Sequence, residues 1–550
     1  MKKQLPQKKT QISQEWTISK YWLRFLIIIL LVIGVFFRFV NIDKKIYWGD
    51  EVLSSLRISG YTQSEMRKQL GNGRLIGIED LHKYQHPNPE KNAIDTIKGV
   101  IVEDSQILPL YILMTRFWVE CFGNSIAAIR SFSAFISLLT FPCLYWLCQE
   151  LFESSLVGWI AIGLVAVSPI HIVYAQETRS YSLWIVTILI SSLALLRAMR
   201  LKTNVNWFIY AATLLIGFYT HLFFTLVAFA QGIYVVTIER FRLSKTLISY
   251  LLSSLAGLII FVPWIWIIIT NPQPEAVAWT NTKQTVFMSA ARWAGILSRP
   301  FIDLGISPND PGKLKFVLIP FILIVLALIS YSIYFVCRRT SKEVWLFVLT
   351  LIGSVGLPLL ITDFVFQKRF ATSRYTLPSV LGIQLAVAYL FTTKIVSIST
   401  KAWQKKFWSL VAFMVIIGEV VSCVVHSQAQ IWWNQVPDKY QEYPQIANII
   451  NQEKKPLLIS DEDNIIPPLQ VLSELIDPKV QFQIVGKNQL PEITNGFSDI
   501  FLFLFEPSDF LKAGIEKVYN SKLQQVNQYL WKLKKNSEVR IQESEIQTRD

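Results

Sequence analysis

"ILPLYILMTRFWVECFG", Ile107 to Gly123, is largely apolar but carries Arg116 and Glu120. Counted as a membrane span, it would reverse the side of every loop that follows. Counted as a short interfacial or re-entrant helix, it leaves those loops where their charges put them. A span takes about 20 helical residues to cross a hydrocarbon core of about 30 Å, and ionisable residues inside one are costly. The interfacial reading is therefore taken, and the rest of the topology depends on it.

The chain has 550 residues, 52% of them hydrophobic, and a mean hydropathy of +0.38. That excludes a soluble globular protein. Apolar runs recur at about 22–40, 126–149, 156–173, 181–199, 207–222, 223–238, 246–269, 314–336, 343–361, 374–392 and 407–426. They predict a polytopic α-helical membrane protein with about eleven spans, because a spanning segment has to satisfy its own backbone hydrogen bonds.

The net charge of +14 does not point to nucleic acid, because the bases gather in short connections between apolar runs. Lys2, Lys3, Lys8, Lys9 and Lys20 precede the first run. Arg197, Arg200 and Lys202 follow the fourth, and Arg240, Arg242 and Lys245 the sixth. Arg338, Arg339 and Lys342 follow the eighth, and Lys394, Lys401, Lys405 and Lys406 the tenth. With eleven spans all these segments share one side, which the positive-inside rule makes cytoplasmic. The connection at 150–155, with Glu150 and Glu153, breaks the pattern and is outvoted. The N-terminus, with a basic tail at 1–21, is placed inside. No small-residue cleavage pattern follows, so the first run reads as a retained span.

This topology puts four features outside: a first loop at 41–125 with juxtamembrane helices, a short one near 174–180, a Pro- and Trp-rich one at about 270–313, and the tail, 427–550. In the tail, "KPLLIS", "QFQIVG" and "DIFLFLF" read as strands and 510–535 as a helix. They predict a small extracytoplasmic α/β domain after the 22–426 membrane domain. The five cysteines lie in or beside apolar runs and imply neither a disulfide framework nor a zinc site. No internal repeat is visible.

Four constellations on the outer side carry chemistry. "YWGDE" sets Asp50 and Glu51 side by side just past the first span. They read equally as solvated loop acids or as a general base and its neighbour, since close carboxylates do not both ionise freely. "SPIHIVYAQETRSYSL" (Ser168–Leu183) offers Glu177 and Arg179 among tyrosines, as a helix-end ion pair or as contacts for an anionic headgroup or sugar phosphate. His221, in "GFYTHLFF", suits packing better than ligation. "FQKRFATSRYTLPS" places Lys368, Arg369, Arg374 and Tyr375 outside, against the charge bias, and asks for an anion such as phosphate.

At these residues the chain resembles the GT-C superfamily of integral-membrane glycosyltransferases, nearest to glycosyltransferase family 39, the protein O-mannosyltransferase and aminoarabinose-transferase group. The resemblance covers about residues 20–400 and is strongest from 40 to 235. "WGDE" resembles the family's acidic motif, and "EDSQILPLYILMTRFW" its "DxQHPPLYYLLxRLW". "AIRSFSAFISLLTFPCLYWLCQELF" resembles its second span, "SPIHIVYAQETRSYSL" its "SPFxxxYSQEARxYSL", and "RYTLPSV" its "RYLLPAL". One departure stands out: the family's His-Pro-Pro is Ile107-Leu108-Pro109 here, which bears on acceptor identity and on activity.

The resemblance implies a sugar moved from a polyprenyl-phosphate donor to an acceptor hydroxyl, by inversion, on the outer face. Asp50 would be the base and Glu51 its neighbour in the acceptor site. Glu177 would stand near the donor or a cation, Asp104 and Gln106 in the pocket wall, Arg374 at the donor phosphate and Arg179 as a weaker candidate. Nothing requires a cofactor; were a divalent cation held, Asp50 and Glu177 would be its ligands. The acceptor, whether protein, lipid or glycan, stays open. Three rivals remain. A polysaccharide polymerase or ligase would place its largest loop late. A transporter would show mid-membrane charges and internal symmetry. A non-catalytic binder of lipid-linked glycan is kept alive by the missing His-Pro-Pro.

Overall fold

The computed structural model describes residues 19–306, 314–396, 400–505 and 508–534. Lys2, Lys3, Lys8 and Lys9, on which the predicted orientation partly rests, lie outside the described residues.

Each of the eleven predicted spans falls on a helix or a pair of helices. α1 (Ser19–Phe39) leads into the first loop, which holds α2 (Gly49–Ser59), α3 (Gln63–Leu70), α4 (Ile78–His82), α5 (Ala93–Glu103) and α6 (Pro109–Phe122). The bundle continues with α7 (Ile126–Leu138), α8 (Thr140–Phe152), α9 (Ser155–Val167), α10 (Pro169–Ala175), α11 (Tyr181–Leu201), α12 (Asn204–Phe218), α13 (Phe224–Ile238) and α14 (Lys245–Thr270). The amphipathic α15 (Val286–Ser298) precedes α16 (Leu314–Arg339), α17 (Lys342–Phe364), α18 (Leu377–Phe391) and α19 (Ala402–Gln428). Among the described residues, seven segments are long and apolar enough to cross a membrane, or eight if the bent pair α9–α10 is one span. α12 and α13 are shorter apolar helices of 15 residues each. The chain is an integral membrane protein.

The run predicted at 156–173 is not straight. It bends by 61° between α9 and α10, because Pro169 lacks the N–H a continuing helix needs and opens a new one. The freed carbonyls find partners: Arg38 donates to those of Ala166 (2.7 Å) and Val165 (3.4 Å), and Cys423 Sγ to that of Val167 (3.1 Å).

The structure also explains the two charges inside Ile107–Gly123. Arg116 is buried, and its guanidinium donates to the Ile58 carbonyl (2.9 Å), the Ser59 carbonyl (3.1 Å) and the Lys91 carbonyl (2.7 Å). Its Nε faces Glu120 at 2.9 Å. The arginine thus caps the C-terminal end of α2, where carbonyls are unpaired and a cation is favoured. The opposite side of α6 exposes Phe117 and Phe122. At 14 residues, α6 is shorter than the segments long enough to cross a membrane.

α2 carries Asp50 and Glu51 in its first turn, the end of a helix that favours acids. Gly60, at φ 92°, closes it in the left-handed region that glycine adopts without strain. Below its C-terminal turn, Arg57 is fully buried between Glu103 (2.8 Å) and Asp104.

The tail opens with α20 (Pro437–Tyr440) and α21 (Tyr443–Asn451) and is organised on β2 (Pro456–Asp461), β3 (Gln481–Val485) and β4 (Asp499–Phe503), the three predicted strands. The predicted helix at 510–535 needs correcting. α22 (Asp509–Val518) stops early, and β5 (Lys522–Asn527) and β6 (Leu530–Lys534) form a hairpin. Leu530 is fully buried while much of β5 is open to solvent, a half-buried pattern that the helical reading overlooked. Counting β1 (Leu75–Ile76), the sheet order is β1-β3-β2-β4-β6-β5, with β3 and β4 parallel to the central β2. Its edge, β1, comes from the first loop and pairs antiparallel with β3, Leu75 opposite Gln483 and Ile76 opposite Phe482. Tyr47, Trp48, Val52 and Leu56 share one buried cluster with Tyr440, Tyr443, Leu458 and Phe482. The tail and the first loop are therefore built around a common core.

Candidate functional site

Five chain segments meet where α1 gives way to the first loop. These are the first turn of α2, the link between α10 and α11, the link between α12 and α13, the turn before α18, and the segment that leaves α19.

Asp50 stands at the centre. Its Oδ2 accepts from Arg374 Nη1 at 2.7 Å and lies 3.9 Å from Arg179 Nη2. All three side chains are partly open, at 29%, 21% and 19% exposed. Burial pushes the Asp50 carboxyl up, but the two guanidiniums outweigh it and hold the group below the usual carboxylate range. Arg179 also donates to Ser54 Oγ (3.2 Å) and lies 3.4 Å from the Asp50 carbonyl. Arg374 keeps a buried Nε with no hydrogen-bond partner among the described residues.

Glu51 has a different environment. Its side chain is wholly buried, and Arg130 grips it with two bonds, Nε to Oε1 at 2.8 Å and Nη2 to Oε2 at 2.6 Å. The Thr178 N–H adds a third at 2.9 Å. Arg130 spends its remaining donors on the carbonyls of Ile42, Lys45 and Ile46. The pair ties α7 to the entrance of α2, with every charge-bearing atom satisfied.

Glu177 is 3% exposed, and its Oε2 accepts from Asn434 Nδ2 at 3.3 Å. Burial first, then the neighbouring charges of Glu51 and Asp50, push its carboxyl up to about 8. It is therefore mostly protonated near neutrality.

Aromatic rings line one side. His221 stacks on Trp184, 3.9 Å between centroids at 10°, and its Nδ1 accepts the Phe223 N–H. The Arg374 guanidinium lies 5.2 Å from the Tyr375 ring centroid and 5.9 Å from that of Trp279. Asp104 belongs to the Arg57 pair beneath α2, and burial raises its carboxyl although Arg57 opposes it. Gln106, half-buried, has an unpartnered Oε1. Lys368 is exposed and bonded to Asn281 Oδ1 at 3.3 Å. Asp50, Glu177, Arg179, Arg374, Tyr375 and His221 thus come together, Glu51 is sealed just behind them, and Lys368 stands in the loop before the cluster.

Three residues that shape the site go unremarked in the sequence reading. Arg130 sat inside a presumed span, where a lone arginine is itself a signal. Asp363, fully buried, accepts from Trp293 Nε1 (3.0 Å), Arg292 Nη2 (2.9 Å) and the Phe370 N–H (2.8 Å), and so fixes the loop that delivers Arg374. Arg299 donates to Ser373 Oγ at 2.9 Å, next to Arg374. Among the described residues no three of His, Cys, Asp and Glu gather as a metal site would require; Asp50 and Glu177 are the acids at the cluster, and two guanidiniums stand beside them.

The family model described as dolichyl-phosphate-mannose-protein mannosyltransferase matches residues 108–267. Across that stretch, α6 to α14, the GT-C glycosyltransferase resemblance read from the motifs is borne out. No curated protein matches the chain. Among solved structures, ArnT from Cupriavidus metallidurans in the apo state aligns with a TM-score of 0.49 and 11% identity, covering 94% of this chain and 98% of that one. The same protein bound to undecaprenyl phosphate gives 0.46 and 13%, with the same coverage. The oligosaccharyltransferase AglB from Archaeoglobus fulgidus, in complex with an inhibitory peptide and a dolichol-phosphate, gives 0.43 and 13% over 79% of this chain. The chain spans 58% of the length of that archaeal enzyme.

Proposed function

Taking the GT-C resemblance as premise, we propose that the chain is a membrane glycosyltransferase that moves a sugar from a polyprenyl-phosphate donor to an acceptor hydroxyl, by inversion, on the outer face of the membrane. The observation that carries this reading is the Asp50–Arg374 contact. It joins an acid from the first loop to an arginine 324 positions away, a pairing that supports a proton acceptor working next to a phosphate contact.

In this reading Arg374 and Arg179 take the donor phosphate. Arg374 brings an unspent Nε donor, and guanidinium forks match phosphate oxygens. A phosphate drawn to them competes with Asp50 for the same cations. Asp50 then loses the charges that depress it and becomes a better base. The acceptor hydroxyl gives its proton to Asp50 as its oxygen attacks the anomeric carbon, and polyprenyl phosphate leaves with its new charge offset by the arginines. Tyr375, Trp279 and the His221–Trp184 stack offer an apolar wall to the donor. Protonated Glu177 leaves one cation in excess of Asp50, which suits an anionic donor.

The test is Asp50→Asn in membranes supplied with labelled polyprenyl-phosphate monosaccharides. Transfer is expected to fall by ~10²–10⁴, the range for loss of a general base, with binding of polyprenyl phosphate retained. Undiminished transfer would remove Asp50 from the mechanism.

A further inference from the structure

The segment that leaves α19 crosses the site before it enters the tail. Ile46 N–H donates to the Gln430 carbonyl at 2.9 Å, and Gln435 Nε2 donates to the Ile46 carbonyl at 2.8 Å. The indole N–H groups of Trp432 and Trp433 both reach Asp303 Oδ2, at 3.2 and 2.6 Å. The Arg299 guanidinium lies 3.8 Å from the Trp433 ring centroid, and Asn434 holds Glu177. At its end, Tyr440, 5% exposed, places its hydroxyl against Gly49, whose backbone hydrogen-bonds to it.

Gly49 is the glycine of "WGDE" and immediately precedes Asp50. Its backbone is not in the left-handed region, so conformation alone does not require glycine there. Space does: a Cβ at this position would overlap the Tyr440 hydroxyl and lie 3.1 Å from Pro467 Cγ. Both neighbours come from the tail. Trp48, one residue earlier, lies in the core that the tail shares with the first loop.

We propose that Tyr440 is a positioning residue for Asp50. With Pro467 it clamps the Gly49–Asp50 peptide from the tail side, and Gly49 is small so that this clamp can close. The tail is then a working part of the site: it fixes the angle at which α2 presents its acid to Arg374. This inference rests on the reading of Asp50 as the base. A helix start that merely tolerates glycine would show no dependence on position 440.

The experiment uses the full-length chain in lipid nanodiscs and compares wild type, Gly49→Ala, Tyr440→Phe, the double variant and Asp50→Asn. The probes are labelled polyprenyl-phosphate monosaccharides with native membranes as acceptor, and kcat is separated from donor KM. Gly49→Ala is expected to lower kcat by ~10–100-fold with donor KM within about twofold, as for a reacting group displaced by a fraction of an ångström. Adding Tyr440→Phe removes the overlapping oxygen and is expected to restore roughly tenfold of that loss. Tyr440→Phe alone is expected to lower kcat by about threefold, the size of one lost neutral hydrogen bond. If Gly49→Ala accumulates poorly, Tyr440→Phe still decides through its kcat. The Tm of wild type, Gly49→Ala, Tyr440→Phe and the double variant reads the same pairing without turnover: the double variant is expected to melt above Gly49→Ala. A double variant no better than Gly49→Ala in both kcat and Tm overturns the clamp, as does unchanged kcat in Tyr440→Phe. Full transfer by Asp50→Asn would instead overturn the functional reading, and the clamp's catalytic meaning with it.

Discussion

Asp50 and Glu51 are neighbours in one helical turn, yet the structure gives them opposite surroundings. Glu51 is closed off from solvent, held by Arg130 at 2.6 and 2.8 Å, and supported by a backbone amide. Asp50, one position earlier, keeps 29% of its side chain exposed and shares two arginines that are themselves partly open. The first arrangement is a lock: no donor on Arg130 is spare, and the pair gains its strength from exclusion of water. The second can be remade, because a solvent-reachable ion pair is weak enough to exchange one anion for another. Two carboxylates that are equivalent in composition become a sealed strut and a solvent-reachable acid through burial and geometry.

Breaking the lock tests this contrast most severely. Arg130→Ala leaves Glu51 buried without a countercharge and the Ile42 and Lys45 carbonyls without their donor, and is expected to cost about 3–5 kcal/mol of stability. Thermal melting or accumulation in membranes reads that loss. Adding Glu51→Gln should recover part of it, since no charge is then stranded. A mild effect from Arg130→Ala would show that the pair is not structural.

The open side should respond differently. Arg374→Gln is expected to leave the fold nearly unchanged and to weaken binding of polyprenyl phosphate by ~10–100-fold, the size of one charge-assisted contact to an anion. Titrating labelled polyprenyl phosphate onto the purified chain measures it. Equal loss of stability in Arg374→Gln and Arg130→Ala would erase the distinction between the two pairs.

Glu177 sharpens the comparison by a smaller amount. Its carboxyl, raised to about 8, binds a proton in the folded state that the unfolded chain releases near its ordinary value. Stability linked to it is therefore whole below the unfolded value and is lost as pH rises toward 8, with a slope of up to about 1.4 kcal/mol per pH unit. Glu177→Gln, which cannot ionise, is expected to flatten that slope, so its Tm advantage over wild type should grow from pH 5 to pH 8. A constant difference across that range would place the raised carboxyl elsewhere.

Much of the site was legible as separate pieces. "WGDE", "AQETRSYSL" and "SRYTLPS" each held residues that now stand together, because charged side chains beside long apolar runs are costly and so conspicuous. Arg130, Asp363 and Arg299 were harder to see, since their meaning lies in partners such as Glu51, Trp293 and Ser373 that are distant in the chain. The hairpin after Val518 was missed for a related reason: "LQQVN" and "LWKLK" alternate weakly, and pairing with β4 decides their state.

The sequence by itself determined that the chain lives in a membrane and where its apolar helices run, because length and apolarity are local quantities. Tertiary structure decided which of two adjacent acids stays reachable, which arginine meets it, and that the first loop and the tail share one core. Those depend on contacts across hundreds of positions, and only the folded chain specifies them.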